Sequence, residues 1–212
     1  MIKKLQALKA KKGFTLVELI VVIAIIGVLA AILVPTMLGY VTSSQVTSLN
    51  STAASIKNNI DTFLTNADTA GYGMLKGSTN VAVFDIDISS GTWTVATSAS
   101  SSAFKTGNST ITWGSGGSGS AGNSKSGKSA AEDLLAITLA DLFPTVDAGY
   151  VWAYCEGGKC LYVYYTEDTT STPGGAPALT DFQAEHFSWD GSTAGITSDG
   201  VTVGTAPALA LA

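Results

Sequence analysis

KKGFTLVELIVVIAIIGVLAAILVP, residues 11–35, decides how the rest of the chain is read. From Phe14 to Val34 every residue is apolar except Thr15 and Glu18, a run of twenty-one. About twenty such residues suffice to cross the hydrocarbon core of a bilayer as a helix. A cleaved secretory signal would have a shorter apolar core and a small-residue cleavage site; this run continues instead into a long helical pattern. Upstream, Lys3, Lys4, Lys9, Lys11 and Lys12 crowd the first twelve residues with no acid among them. That bias holds the N-terminal side in the cytoplasm. A plain membrane anchor would need no more than this, and Glu18 argues against it. A carboxylate within a membrane helix costs a few kcal/mol, less near the end than at the centre, so it marks a functional position that needs a cation. The cations at hand are the leader lysines and, if the chain is cut after Gly13, a new α-amine on Phe14.

Lys-Lys-Gly-Phe-Thr-Leu-Val-Glu-Leu (11–19), followed by the apolar run and Pro35, resembles the class III signal of type IV pilins and pseudopilins. The resemblance extends over roughly residues 1–66. It implies that a prepilin peptidase cuts after Gly13 and methylates the new N-terminus at Phe14. It further implies that Glu18 pairs with the terminal amine of a neighbouring subunit, and that chains polymerise into a helical filament. An inner-membrane platform and a separate cytoplasmic assembly ATPase would be the partners. The physics agrees with the pairing, because a buried carboxylate is tolerable once paired and a pair sets register.

Pro35 lacks an N–H and cannot bond back to the carbonyl of Ala31, which kinks or locally opens a helix. The resemblance implies that this segment unwinds in a filament. Beyond it, Val46, Leu49, Ala53, Ile56, Ile60 and Phe63 recur at steps of three and four, one apolar stripe on an amphipathic helix. A helix from Phe14 to about Asn66 would be ~80 Å long at ~1.5 Å per residue. Its first half is hydrophobic all round and needs lipid or other subunits; its second half has one stripe and needs a sheet.

After residue 69 the texture changes to short β-like runs between Gly, Ser, Thr and Asn. Val81–Ile88 alternates, with Phe84, Ile86 and Ile88 on one face and Asp85 and Asp87 on the other. Strict alternation, and no distal glutamate at loop spacing, argue against Asp85, Asp87 and Ser89 opening a calcium loop. Thr92–Thr97 and Ser109–Trp113 read as further strands. YVWAYCEGGKCLYVYYTED, residues 150–168, is the clearest hairpin, with Gly157-Gly158 as its two-residue turn. Glu156 then faces Lys159, and Cys155 faces Cys160 at a Cα separation of ~4.5 Å, within disulfide reach. Outside the cytoplasm the two are expected to be oxidised. A metal reading of this pair lacks two further ligands, His186 being far off in sequence. Residues 171–177 read as a loop or linker and 190–204 as a last hairpin. Glu185, Asp190 and Asp199 are read as solvated turn residues rather than a cation site. Trp93, Trp113, Trp152 and Trp189 are expected in the core.

One motif points elsewhere. GNSKSGKS, residues 122–129, matches the G-x-x-x-x-G-K-[ST] spacing of a phosphate-binding loop. Such a loop needs a buried strand leading into it so that its backbone N–H groups are held rigidly. Here the Gly/Ser-rich loop 114–129 precedes and contains it, reading as a flexible tether. Ser129-Ala-Ala-Glu132 reads as a capping box that opens a short helix with Leu135, Leu139 and Leu142 on one face, ended by Pro144. No nucleotide binding is expected.

Composition narrows the function classes. Beyond Gly13 there are six lysines, no arginine and sixteen acids, a net of −10, which is no footprint for general nucleic-acid binding. With one histidine and no catalytic constellation, no enzyme activity, cofactor or metal is expected. The expected fold is α+β: a cleaved basic leader (1–13), the membrane-spanning assembly half of a long helix (14–35), its amphipathic half (36–68), and an exported antiparallel β-rich head (69–212) packed on that half. The expected function is the major structural subunit of a type IV pilus-like filament. It would sit in the cytoplasmic membrane as a single pass with its head outside before assembly, and on the cell surface after. The alternatives are a pseudopilin of a type II secretion system and a minor tip pilin acting as an adhesin.

Overall fold

The computed structural model describes residues 14–99, 103–114, 116–167, 188–189, 192–193 and 203–207. Gly13, Glu185, His186, Asp190 and Asp199 lie outside them. The chain divides into two compact units, Met1–Ser43 and Ser44–Ala212, with helix α1 (Leu16–Thr69) passing through the boundary. In the first unit the stretch Leu16–Val34 is long and apolar enough to cross a membrane, and none of it is buried. Pro35 falls within the bounds of α1.

In the second unit α1 buries Val46, Leu49, Ala53, Ile56, Ile60 and Phe63, the stripe expected from the 3- and 4-residue spacing, and extends it through Leu64 and Ala67. Full burial of a large apolar side chain stabilises by roughly 1.5–3 kcal/mol, so the stripe anchors the helix here. The helix stops at a glycine. Gly71 has φ +86°, the Gly71 N–H donates to Asp68 O (3.3 Å), and the Tyr72 N–H donates to Ala67 O (3.0 Å). This is the paired closure in which a left-handed residue satisfies the last carbonyls of a helix.

The strands that receive the stripe are β1 (Val81–Ser89), β2 (Thr92–Ala99), β3 (Gly117–Ser120), β4 (Ala148–Glu156), β5 (Lys159–Thr166) and β8 (Gly204–Ala206), ordered β3-β2-β1-β4-β5-β8 and paired antiparallel. A separate pair, β6 (Ser188–Trp189) and β7 (Ser192–Thr193), forms a two-stranded ribbon. Alternation places Ala82, Phe84, Ile86 and Ile88 of β1 on the core face, where they join Trp93, Val95, Val151, Ala153, Val163 and Tyr165 against the helix. On the opposite face Trp152, Tyr154, Tyr164 and Val203 form a second buried cluster. The fold is α+β, with an antiparallel sheet covered on its core face by the amphipathic half of α1 and by α2 (Ala131–Leu142).

Four expectations are corrected here. Residues 117–120 are not a tether but an edge strand, β3. A side chain at Gly119 would put its Cβ 2.7 Å from the Ile137 nitrogen, and one at Gly117 would put it 2.6 Å from the Glu132 carbonyl carbon; only glycine lets α2 lie this close. Ser109–Trp113 is not a strand. The Asn108 side-chain oxygen accepts from the Thr110 (2.8 Å) and Ile111 (3.1 Å) N–H groups, turning the chain. The α2 start carries no capping box: its N-cap is Ala130, with no side-chain hydrogen bond. Instead the Ala131 N–H donates to Thr112 O (2.9 Å), and Glu132 turns to accept from Gly114 N–H. Leu142 is 51% exposed; Phe143 packs in its place, stacked on Trp93 at 6.0 Å.

The far edge of the sheet is closed by β8. The Thr205 N–H donates to the Asn50 side-chain oxygen of α1 (2.7 Å), and a Cβ at Gly204 would lie 2.5 Å from that of Leu49. These close approaches are testable at the opposite edge. Gly119→Ala is expected to lower stability by ~1–3 kcal/mol through overpacking. Exposed Ser118→Ala is expected to change it by less than ~0.5 kcal/mol. Both are read by denaturant unfolding followed through the fluorescence of Trp93, which pairs with Gly119 across the ladder.

Candidate functional site

The exposed N-terminal end of α1 carries the first candidate. Thr15 stands just ahead of the helix and Glu18 in its first turn. The Thr15 N–H donates to Glu18 Oε2 (2.9 Å), the Thr15 hydroxyl donates to the same oxygen (2.8 Å), and the Glu18 N–H donates back to Thr15 Oγ1 (3.2 Å). This is a reciprocal capping box. Its T-x-x-E signature ahead of an apolar run is legible in the sequence, yet the sequence reading assigned Thr15 no role. The box uses Oε2 and leaves Glu18 Oε1 open. Phe14 beside it is exposed.

The phosphate-loop motif is accounted for by different contacts. β3, residues 121–130 and α2 do form a strand, a loop and a helix in that order, but the loop runs back along the helix instead of wrapping its N-terminus. Lys128 pairs with Asp133 (3.1 Å) near the start of α2. Lys125 pairs with Asp141 (3.3 Å), and the Gly122 N–H donates to the same carboxylate (2.8 Å), near the helix end. Asp133 and Asp141 are eight residues apart, ~12 Å at ~1.5 Å per residue. Backbone N–H groups so spread cannot converge on one phosphate. The Gly122 N–H, and then Lys125, hold the Asp141 carboxyl below its ordinary value. Asp133 also accepts from the Ser118 N–H (2.8 Å), so the two aspartates of α2 cover the open edge of β3 and its following turn. An exposed edge invites pairing with other chains, and this one is latched.

The cysteines meet as the hairpin predicts. Gly157 and Gly158 have φ +59° and +87°, the combination a two-residue turn of this hand requires. Glu156 pairs with Lys159 and Cys155 with Cys160, after which the register shifts so that Tyr154 faces Tyr162. Where the sequence leads one to expect a disulfide, the structure holds two buried thiols facing each other. Burial, and then the adjacent Cys160 sulfur, push the Cys155 thiol well above its ordinary value. The hairpin tip is tied to α1, because the Cys160 N–H donates to Asp61 Oδ1 (2.5 Å) and Asp61 also pairs with Lys57 (3.3 Å). The role of Asp61 was not read from the sequence, since a lone acid beside an apolar stripe looks like a solvated face. Among the described residues no cluster of His, Cys, Asp and Glu has the form of a metal site.

Against this geometry the comparisons with known proteins are specific at the N-terminus. A signature described as "Prokaryotic N-terminal methylation motif" matches residues 8–34. The chain is 38% identical over 86 residues to a type IV major fimbrial protein, FimA, of Dichelobacter nodosus, covering 41% of this chain and 54% of that protein. It is 47% identical over 57 residues to a type IV major alpha-pilin of Moraxella bovis (27% and 36%). It is 50% identical over 50 residues to a fimbrial protein of Pseudomonas aeruginosa (24% and 32%). The chain thus spans about half, or less, of the length of these curated relatives. It is of the type IV pilin class, and the names of these relatives describe fimbrial proteins rather than enzymes. The chain belongs to the family described as "Domain of unknown function (DUF5021)", whose match covers residues 46–210. No solved structure matches the chain.

If residues 122–129 are an edge latch, ATP with magnesium at millimolar concentration should leave the unfolding temperature of wild type and of Lys128→Ala unchanged. An ATP-dependent rise in wild type that Lys128→Ala loses would restore the nucleotide reading.

Proposed function

We propose that the chain is the major structural subunit of a type IV pilus-like surface filament. The observation that carries this reading is the wholly unburied apolar stretch Leu16–Val34, which lies within the matched methylation motif, residues 8–34. A helix that is apolar all round has to be covered, first by lipid and then by like helices. In this reading a prepilin peptidase cuts after Gly13 and methylates Phe14, and the chain waits in the cytoplasmic membrane as a single pass with its head outside. An inner-membrane platform and a separate cytoplasmic ATPase then drive polymerisation. Glu18 Oε1, left open by the capping box, receives the Phe14 amine of a neighbouring subunit. Pro35 provides the point where α1 opens within the filament. The names of the relatives, two of them "major", favour the major-subunit role over a pseudopilin or a minor tip pilin.

Electron microscopy and mass spectrometry of filaments sheared from intact cells test the proposal. An abundant fibre built mainly of this chain, beginning at methylated Phe14, is the expected result; a processed chain that stays in the envelope, with no fibre containing it, rejects the major-pilin role. Glu18→Ala is expected to be processed normally and to cut fibre yield at least tenfold. A wild-type yield from that variant would remove the pairing.

In the same reading Cys155 and Cys160 form a disulfide once exported, the two thiols losing two hydrogens to a disulfide-donating oxidant as the S–S bond forms. Protein taken from cells should then resist alkylation until reduced, and the intact mass should be two hydrogens below that of the dithiol. The bridge is expected to add about 2 kcal/mol to stability, the short loop limiting the gain. Immediate alkylation of both thiols in unreduced, unfolded protein would rule it out.

A further inference from the structure

A groove of about 540 Å³ opens on the head between the end of β2 and the irregular segment 103–114. Ligand clefts occupy roughly 300–1,000 Å³, so the volume is that of a small-ligand site. Its walls are fixed from several directions. The Leu75 N–H donates to Ala103 O (2.8 Å) and the Lys105 N–H to Gly73 O (2.9 Å). The Trp113 indole N–H donates to Tyr72 O (2.6 Å), and the Asn108 amide donates to Ala70 O (3.2 Å). A segment that is neither helix nor strand is therefore tied at four points to the chain that follows α1, and its shape does not have to be ordered by a ligand.

The lining excludes several ligand classes. Among the described residues no carboxylate lines the groove, which argues against a metal ion or an organic cation. The one charged group among the described lining residues, Lys105, is engaged by Asp68 at 2.7 Å, so an anion would find no free charge there. What remains is a mixture of aromatic surface and uncharged oxygen. Trp113 stacks with Phe84 (5.3 Å) and Phe104 (4.4 Å), and half-buried Phe104 supplies aromatic surface to the groove. Thr106, Ser109 and Thr112 bring exposed hydroxyls. Thr97 adds a further one: its Oγ1 is shut off from solvent and has no hydrogen-bond partner among the described residues. An unsatisfied buried hydroxyl costs about 1–3 kcal/mol. A ligand oxygen completes such a group once the Thr97 side chain turns about χ1 from the wall into the cleft.

We infer that this groove is a binding site for a neutral oligosaccharide, whose alternating C–H faces and hydroxyls match an aromatic ring surrounded by uncharged hydroxyls. The site belongs to the head and holds whether or not the chain forms a filament.

The test uses the full chain in a detergent without a sugar headgroup, titrated with maltotriose, cellotriose and the trimer of N-acetylglucosamine, and read by tryptophan fluorescence and saturation-transfer NMR. At least one trisaccharide is expected to bind saturably. Thr97→Val is expected to weaken it at least tenfold without lowering the unfolding temperature, since the variant removes an unsatisfied hydroxyl. Thr106→Ala, a surface change that leaves the fold intact, is expected to weaken it at least threefold. No saturable binding of any of the three up to roughly 10 mM, beyond the ~1 mM of a very weak complex, would overturn the inference. So would binding that both variants leave unchanged. Binding of a sulfated trisaccharide in place of the neutral ones, lost in Lys105→Met, would show an anion site and overturn the neutral assignment.

Discussion

A helical surface that is apolar on every side has no stable place in water, and Leu16–Val34 is such a surface. Hydrophobic burial of its side chains is worth roughly 25 cal/mol per Å², and none of that is realised within the chain. The interaction must be completed by lipid or by other chains. Between like helices and lipid tails the apolar contribution nearly cancels, so in the proposed filament selectivity would rest on the polar group that interrupts the surface, Glu18. The capping box with Thr15 gives that carboxylate a defined place at the helix start before any partner arrives.

The head solves the opposite problem, covering a single stripe with a sheet whose neighbours close in over glycines. Glycine and serine are abundant beyond residue 110, and such composition normally signals a flexible connection. Here it produces close approach instead. Gly117 and Gly119 let α2 lie on β3, and Gly204 lets β8 lie on α1. The backbone groups left at the β3 edge go to Asp133 and Asp141, and the lysines of the phosphate-loop-like motif neutralise those acids. A motif whose spacing suggests nucleotide chemistry is thus explained by electrostatics between a loop and the helix beside it.

What could be read in advance was whatever depends on local periodicity. The α1 stripe, the alternation of β1 and the Gly157-Gly158 turn each follow from spacing within a few residues. What was missed depends on groups distant in sequence. Nothing in Gly-Ser-Gly-Ser favours a strand, and β3 exists because β2 and α2 lie on either side of it. The capping box at Ser129 gave way because the Thr112 carbonyl took the first helical N–H and Gly114 took Glu132. At the N-terminal end of α1 the T-x-x-E signature of Thr15 and Glu18 was legible in the sequence, and their hydrogen bonds show it formed.

The closure of the sheet by β8 bears on the order in which the molecule comes into being. Asn50 and Thr205 are bonded across 155 residues of chain, and contacts of such separation slow folding because a long loop must close before they form. As synthesis proceeds from the N-terminus, Leu49 and its neighbours on α1 are made long before the strand that covers them. That part of the stripe waits, uncovered, until nearly the whole head has been made. A chaperone or the membrane surface acting in that interval would meet the helix and not the finished sheet.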